Sequence, residues 1–229
     1  ISIGGKKVRF ELRAEDDAGD PKQATSVAQK LVDAKIHGMV GHETSGTTIP
    51  ASKIYHQAGI PQISPSSTSP KYTQQGFNTA FRVVANDVQL GQALGRYAVD
   101  GLKAKRVAVI DDRTAYGQGL AAEFAKGLTR QGAQVVAREF THDKASDFNA
   151  ILTKIRATKP DLVFFGGMSA VAGPMLRQMK QLGFNAKMMG GDGICSDEIH
   201  KLSGGAMLDG QVFCAEAGGV DAAGRKPVI

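Results

Sequence analysis

Short apolar segments alternate with longer segments of helical periodicity along almost the whole chain, and this alternation limits the fold more than any other feature. Residues 162–166 (Leu-Val-Phe-Phe-Gly) and 107–110 (Val-Ala-Val-Ile) have the length and continuous apolar character of strands buried on both faces. Between such segments apolar side chains recur at helical spacing, as in residues 116–131. Strands separated by helices of roughly 10–15 residues form parallel βαβ units. The sequence therefore predicts an α/β fold with parallel sheets flanked by helices.

The individual elements can be predicted from the same periodicities. Residues 6–14 alternate apolar and polar side chains, which predicts a strand. Asp20 is predicted to cap a helix whose first turn contains Pro21. The other predicted strands are 36–41, 60–64, 81–84, 106–111, 134–140, 162–166, 187–190 and 211–215, and the other predicted helices are 45–58, 87–101, 116–131, 148–157, 172–182 and 196–202.

The order of these elements predicts two lobes. About three βα units precede residues 84–87, and a full series of strands and helices follows them. We therefore expect a first lobe over 1–85, a second lobe over 86–216, and a crossover or tail over 217–229 that returns towards the first lobe. The chain enters its first strand without an opening element or a signal peptide. We therefore expect the natural protein to begin before Ile1, and the first lobe to lack its opening strand here.

Composition and charge exclude several classes of function. Apolar residues make up 42% of the 229 residues and charged residues 22%, as in ordinary globular proteins. The net charge of +6 comes from dispersed Lys and Arg without interleaved aromatic residues, which argues against nucleic acid as a partner. No Cys-x-x-Cys occurs, and no metal site is predicted. A disulfide between Cys195 and Cys214 and a pair of free buried thiols both fit the sequence.

The sequence contains no recognisable catalytic motif. The patterns Gly-x-Ser-x-Gly and Walker A are absent, as is Gly-x-Gly-x-x-Gly at the first βα turn. His42 and Ser45 could form a His–Ser pair, but no acid that would orient the histidine is evident. Asp111 and Asp112 follow a strand and are interpreted as helix-capping residues. We therefore expect neither enzymatic activity nor a cofactor.

Two loops rich in hydroxyl groups follow consecutive strands of the first lobe, at residues 41–48 and 64–70. In open parallel sheets ligands bind beyond the carboxyl ends of the strands, where such loops gather. Hydroxyl groups and the unpaired N–H groups of a helix N-terminus suit an anion such as a carboxylate. Helix capping alone would also explain Ser and Thr in these loops.

Two residues of the second lobe complete a candidate site. Asp192 follows an apolar strand among three glycines, and its carboxylate could pair with an ammonium group or cap the next helix. Tyr116 stands at the start of a helix, where it could contact a ligand through its ring and hydroxyl group or pack within its own lobe.

At these loops the sequence resembles the branched-chain amino acid binding proteins of bacterial ABC transporters, the leucine/isoleucine/valine-binding family with the type I periplasmic fold. The segments that carry this resemblance are 14–17 (Ala-Glu-Asp-Asp), 20–21 (Asp-Pro), 40–42 (Val-Gly-His), 49–55 (Ile-Pro-Ala-Ser-Lys-Ile-Tyr), 62–68 (Gln-Ile-Ser-Pro-Ser-Ser-Thr), 73–77 (Thr-Gln-Gln-Gly-Phe), 81–82 (Phe-Arg), 115–120 (Ala-Tyr-Gly-Gln-Gly-Leu) and 190–193 (Gly-Gly-Asp-Gly). Together they cover about residues 6–217.

The resemblance implies two Rossmann-like lobes that close on an amino acid, here incomplete at both ends. It assigns the ligand carboxylate to four hydroxyl residues, the ammonium group to Asp192 and a ring contact to Tyr116; the four are Ser45, Ser66, Ser67 and Thr68. It also implies a periplasmic, monomeric protein that delivers its ligand to a membrane permease.

The sequence departs from the family pattern at some positions. Met168 and Ser169, which we also expect to contact the ligand, stand where some members have aromatic residues, and the acid is Asp192 rather than a longer Glu. Thr44 excludes a disulfide that some relatives have near the Ser-rich loop. Other ligands (an amide, urea or an aromatic acid), a receptor's sensing domain and a doubly wound enzyme remain alternatives.

Overall fold

The computed structural model describes residues 2–218 and contains two parallel sheets flanked by helices, together with a small antiparallel sheet. The strands are β1 (Ser2–Ile3), β2 (Lys6–Lys7), β3 (Met39–Val40), β4 (Gln62–Ser64), β5 (Ala80–Arg82), β6 (Arg106–Asp111), β7 (Gln134–Phe140), β8 (Leu162–Gly166), β9 (Lys187–Gly190) and β10 (Val212–Cys214). The helices are α1 (Pro21–Asp33), α2 (Ser45–Gln57), α3 (Asp87–Asp100), α4 (Ala115–Arg130), α5 (Asn149–Ala157), α6 (Ser169–Gln181) and α7 (Glu198–Leu202). Short 3-10 turns occupy Pro70–Tyr72 and Asp192–Ile194. The predicted α/β class is confirmed.

The larger parallel sheet has the strand order β10-β9-β8-β6-β7. All five residues of the central strand β8 are buried, as its continuous apolar sequence predicted. Phe165 belongs to an apolar cluster with residues of α5 and α6 on one face, and Phe164 to a cluster with residues of α3 and α4 on the other. The rings of Phe164 and Phe124 stack with their centroids 3.7 Å apart. Packing on both faces gives the loops at the carboxyl ends of these strands a rigid base.

The smaller parallel sheet consists of β3, β4 and β5 in that order. Helices α1 and α2 pack on one face, where Leu31 and Tyr55 lie in an apolar cluster. On the opposite face Val40, Ile63 and Phe81 are neighbours by strand register, and all three are exposed. Within the described residues this sheet is therefore covered on one face only.

The predicted start of α1 is confirmed. The side chain of Asp20 accepts hydrogen bonds from the backbone N–H groups of Lys22 and Gln23, at 2.8 and 2.9 Å. Pro21 occupies the first helical position, where its missing N–H group costs no hydrogen bond.

The strand predicted for residues 6–14 is wrong beyond residue 7. β2 ends at Lys7, and Phe10 and Leu12 are 66% and 91% exposed. Alternating apolar and polar side chains form a strand only where a neighbouring strand and a core are available. Within residues 2–218, β2 pairs with the two-residue β1 alone. The other predicted elements all occur, with ends within three residues of those predicted.

Helices α3 and α4 pack closely because α3 carries glycine at the contact. A Cβ atom on Gly91 would lie 2.7 Å from the backbone nitrogen of Phe124, and one on Gly95 would lie 2.5 Å from that of Leu128. Asn86 begins α3 with a reciprocal capping arrangement to Gln89. This packing holds the first turn of α3 against the first turns of α4.

The segment after β5 leads from the smaller to the larger parallel sheet and passes beside the segment that follows β10. They touch, because the Ala85 N–H group donates a hydrogen bond to the Ala217 carbonyl oxygen at 2.5 Å. The division into 1–85, 86–216 and 217–229 remains a prediction, and the part of the predicted tail beyond residue 218 lies outside the described residues.

Candidate functional site

The hydroxyl group of Ser45 organises the first loop cluster. Thr44 caps α2, so Ser45 occupies the first turn of that helix. Ser45 Oγ accepts hydrogen bonds from the Ser67 hydroxyl group at 3.3 Å and from the Ser69 N–H group at 3.1 Å. Ser45 and Ser67 are each 1% exposed. The structure therefore brings these two predicted residues together and uses their hydroxyl groups to join the two loops.

Ser66 is placed differently from its neighbours. Its hydroxyl group donates a hydrogen bond to the Glu43 carbonyl oxygen at 2.7 Å. Ser64, at the end of β4, accepts a hydrogen bond from the Ser67 N–H group at 2.9 Å and donates one to the His42 carbonyl oxygen. The Ser66 hydroxyl is therefore engaged within the loop, although its residue type predicted a ligand contact.

Thr68 is the exceptional member of residues 66–69, which we call the hydroxyl loop. Its carbonyl oxygen accepts a hydrogen bond from the Asp87 N–H group at 2.9 Å. Its hydroxyl group is fully buried and has no hydrogen-bond partner within residues 2–218, and none of the hydrogen bonds described there uses its N–H group. Buried polar groups are almost always paired, so the two donors of Thr68 are exceptional among the described residues.

Tyr116 and Asp192 form the second half of the candidate site. The Tyr116 hydroxyl group donates a hydrogen bond to Asp192 Oδ1 at 2.9 Å and accepts one from the Gly193 N–H group at 3.0 Å. Burial, with the nearby Asp192 charge, raises the pKa of Tyr116, so its phenol remains a donor. Burial also raises the pKa of Asp192, and the bond from Tyr116 opposes that rise. A cationic ligand group would stabilise the partly buried Asp192 carboxylate.

Met168 and Ser169 support the turn that carries Asp192. Ser169 Oγ donates a hydrogen bond to the Gly193 carbonyl oxygen at 3.3 Å and lies 3.0 Å from Ser196 Oγ. A Cβ atom on Gly193 would lie 2.8 Å from the Met168 sulfur and 2.7 Å from the Gly167 carbonyl oxygen, so a side chain at residue 193 would clash with the backbone there. Both predicted residues therefore contact the acidic half of the site rather than the hydroxyl loop.

Asp87 lies between the hydroxyl loop and the Tyr116–Asp192 pair, and no pattern in the sequence indicated it as a site residue. Its side chain is fully buried, and neither carboxylate oxygen has a hydrogen-bond partner within the described part of the chain. Burial raises the pKa of Asp87 to about 6; Thr68 and Arg82 oppose this rise, and Asp192 and Glu123 add to it. The Thr68 hydroxyl group therefore lies near the carboxylate, but not in the geometry of a formed hydrogen bond. The side chain that caps α3 is that of Asn86, so Asp87 does not cap the helix, although its position at the helix start suggests that role.

His42 and Ser45 do not form the His–Ser pair that their positions in the sequence would allow. The His42 ring contacts Asp17 Oδ2 through Nδ1 at 2.5 Å and the Tyr55 hydroxyl group through Nε2 at 3.2 Å. Ser45 is bonded to the hydroxyl loop instead. His42 therefore connects the segment before α1 to α2 and does not activate a serine.

The helix-capping role predicted for Asp111 and Asp112 is wrong, because the side chain that caps α4 is that of Thr114. Asp112 instead orients this capping residue. Asp112 Oδ1 accepts hydrogen bonds from the Thr114 N–H and hydroxyl groups at 3.0 and 2.6 Å. Among residues 2–218, no group of three or more His, Cys, Asp or Glu side chains could hold a metal ion. No helix in the same range is long and apolar enough to cross a membrane.

A disulfide joins Cys195, just after the Asp192 turn, to Cys214 at the end of β10. Of the two states that the sequence left open, the structure has the bonded one. The link closes a loop with a sequence separation of 19 residues and attaches the Asp192 turn to the edge strand of the larger sheet.

We expect the unfolded, unreduced protein to show no reaction with a thiol reagent, because both cysteines are bonded to each other. After reduction two thiols per chain should react, as counted by mass spectrometry after alkylation. A reagent that labels both cysteines before reduction would contradict the disulfide.

Comparison with known proteins places the chain among binding proteins. The family described as periplasmic binding protein matches residues 2–224. An amino acid binding protein of Pseudomonas aeruginosa is 45% identical over 204 residues, which cover 89% of this chain and 54% of the relative. A Leu/Ile/Val-binding protein homolog 1 of Brucella abortus is 40% identical over 205 residues, covering 90% of this chain and 55% of the relative. The chain thus spans about half the length of these curated relatives.

A solved structure shows the same fold. The branched-chain amino acid transporter substrate binding protein LivJ of Streptococcus pneumoniae, in complex with isoleucine, superposes with a TM-score of 0.78 at 29% identity. The match covers 88% of this chain and 57% of LivJ. These matches confirm the resemblance that the sequence motifs indicated: the chain belongs to the periplasmic binding protein family.

Proposed function

We propose that the protein binds a small aliphatic L-amino acid of the leucine, isoleucine and valine class between the hydroxyl loop and the Tyr116–Asp192 pair. One observation carries this proposal. Thr68 offers a buried N–H and hydroxyl group without partners within residues 2–218, and Asp87 lies close enough to both Thr68 and Asp192 to interact with their charges and dipoles. The donors of Thr68 and the partly buried carboxylate of Asp192 complement the two charges of an amino acid zwitterion.

The ligand carboxylate is assigned to the hydroxyl loop side. The N-terminus of α2 adds the positive end of a helix dipole to the two donors of Thr68. Ser45 supports this arrangement by accepting hydrogen bonds from the Ser67 hydroxyl group and the Ser69 N–H group. Hydrogen bonds to an ionised group are about twice as strong as neutral ones, which favours an anion at this position.

The ligand ammonium group is assigned to Asp192. Tyr116 orients the carboxylate of Asp192 by its hydrogen bond. Asp87 and Glu216 add negative charge nearby, since the charge of Asp192 raises the pKa of Asp87 and that of Glu216 raises the pKa of Asp192. The ammonium group of the ligand neutralises negative charge that burial and mutual repulsion make unfavourable in the free protein. Its binding beside these carboxylates is therefore favoured.

The proposal includes movement of two lobes. Thr68, Ser45 and Tyr116 are almost completely buried, so a ligand reaches them only if residues 1–85 and 86–216 separate as lobes. A ligand that contacts both lobes then favours the closed arrangement. We propose that the protein works as a monomer outside the cytoplasm, and that a membrane permease of an ABC transporter recognises the closed form.

Isothermal titration calorimetry with a panel of ligands tests the proposal. L-leucine, L-isoleucine and L-valine should bind, whereas leucinamide, urea and benzoate should bind at least 10-fold more weakly, because leucinamide lacks the carboxylate, benzoate lacks the ammonium group and urea lacks both. Tighter binding of an amide, urea or benzoate would replace the proposed ligand class, and binding of none of the aliphatic amino acids would contradict it.

Replacing Thr68 by valine should weaken the binding of L-leucine by about 10-fold or more, since it removes a donor to a charged group worth about 1.5–3 kcal/mol. The free energy of unfolding should change by less than about 1 kcal/mol, because the hydroxyl group has no partner in the described structure to lose. The matched control is Thr129→Val, whose hydroxyl group bonds to Ala125 within α4, remote from the site. Unchanged affinity in Thr68→Val would remove Thr68 from the site.

A further inference from the structure

Hydrogen bonds from residues 82–87, where the chain leaves the smaller sheet, hold the hydroxyl loop in place. Arg82, the last residue of β5, donates two hydrogen bonds from Nη1, to the carbonyl oxygens of Ser67 at 3.0 Å and Ser69 at 2.8 Å. The Asp87 N–H group bonds the carbonyl oxygen of Thr68 between them. Three consecutive carbonyl groups of the loop therefore point towards residues 82–87.

The N–H groups of the same loop are also engaged, with one exception. Ser66 and Ser67 donate to Ser64 Oγ at 3.4 and 2.9 Å, and Ser69 donates to Ser45 Oγ at 3.1 Å. The Thr68 N–H group takes part in none of the hydrogen bonds described for residues 2–218. The hydrogen bonds to the three carbonyl groups fix the orientation of the loop. In that orientation, Thr68 is the residue whose N–H and hydroxyl groups have no partner within residues 2–218.

Arg82 is itself well fixed. Its Nη2 donates to the Thr73 hydroxyl group at 2.6 Å, and its guanidinium carbon lies 5.7 Å from the centre of the Tyr72 ring. The guanidinium group is planar and keeps its charge, and its several donors have fixed directions. A lysine has one ammonium group on a flexible stem and could not bond Ser67, Ser69 and Thr73 in the same geometry.

We infer that Arg82 is a positioning residue for ligand binding, which shapes the hydroxyl loop so that Thr68 presents its N–H and hydroxyl groups to the ligand. This inference rests on the proposed function for the nature of the ligand, but not for the shape of the loop.

The experiment compares Arg82→Lys with a matched control, Arg106→Lys. Arg106 also bonds two successive backbone carbonyl groups, those of Thr158 at 2.7 Å and Lys159 at 3.3 Å, but it lies on β6 at the opposite end of the larger sheet from its ligand-side loops. We expect Arg82→Lys to weaken the binding of L-leucine at least 10-fold in calorimetry and Arg106→Lys to change it less than twofold. Addition of guanidinium ion to Arg82→Ala should restore part of the lost affinity.

A second readout follows the loop without ligand. Amide hydrogen exchange of Ser67 and Ser69 should accelerate at least 10-fold in Arg82→Lys, and not in Arg106→Lys. Wild-type affinity in Arg82→Lys would overturn the inference, as would equal losses of affinity in both variants. If the wild-type protein binds no L-leucine, the proposed function fails, and the exchange rates alone still decide whether Arg82 shapes the loop.

Discussion

Asp192→Ala is expected to weaken the binding of L-leucine about 100-fold or more while the protein remains folded. Removing one member of a buried, hydrogen-bonded charge pair costs about 3 kcal/mol or more, and each 1.4 kcal/mol corresponds to a tenfold change in affinity. In the free protein, burial already disfavours the Asp192 carboxylate, as its raised pKa shows. The substitution therefore removes a group that contributes to binding more than to folding. Calorimetry with L-leucine, together with a denaturant unfolding curve, measures both effects.

Two further variants sharpen this experiment. Asp192→Asn keeps an oxygen that can accept the Tyr116 hydrogen bond but lacks the charge, so its affinity should fall nearly as far as that of Asp192→Ala. Asp197→Ala removes an exposed carboxylate five residues further along the same loop and should leave affinity unchanged. If Asp192→Asn binds L-leucine as well as the wild type does, the ammonium group is held elsewhere.

Asp87→Asn is expected to raise the free energy of unfolding at pH 8 by about 3 kcal/mol. The pKa of Asp87 is raised from 3.8 to about 6, mainly by burial. Each pKa unit corresponds to about 1.4 kcal/mol, and an asparagine in the same place carries no charge to bury. The gain requires that no described group stabilises the carboxylate by a hydrogen bond, which is the case within residues 2–218.

The sign of the pH dependence follows from the direction of the pKa change. The folded protein holds the Asp87 proton more tightly than the unfolded chain does, so wild-type stability falls as the pH rises from about 4 to about 6 and is level above that. Asp87→Asn lacks this fall, and the two unfolding curves should converge near pH 4. The control Asp209→Asn, at an exposed turn, should change stability by less than about 0.5 kcal/mol at every pH. A variant less stable than the wild type at pH 8 would show that the carboxylate has a partner.

Periodicity predicted the fold well where burial decides the structure. β8 and α4 have patterns that fit one buried environment only, and both occur within a residue of their predicted ends. Residues 8–14 have an equally clear alternation, yet they form no strand. The pattern of a segment describes the surface it can present, whereas the partner that would cover that surface lies elsewhere in the chain or beyond it.

The candidate site was predictable in location but not in the role of each side chain. Ser66, Ser67 and Thr68 are equivalent as hydroxyl residues in sequence, but the first two use their hydroxyl groups inside the loops. Of the three, only Thr68 keeps both donors unpaired in the part of the chain that the structure describes. Asp87 was hidden because an acidic residue at the start of a helix is common. Its unusual state arises from contacts with Thr68 and α4, which are distant in sequence.

The hydrogen bond between Ala85 and Ala217 joins the segment that leads out of the smaller sheet to the segment that follows the edge strand of the larger sheet. In the proposed movement of the two lobes, rotation about an axis through this contact would keep the bond. Twisting one sheet against the other would instead pull the two segments apart and break it. Opening and closing should therefore follow one degree of freedom, so that a single interprobe distance, followed by paired spin labels on the two sheets, suffices to report the full range of motion.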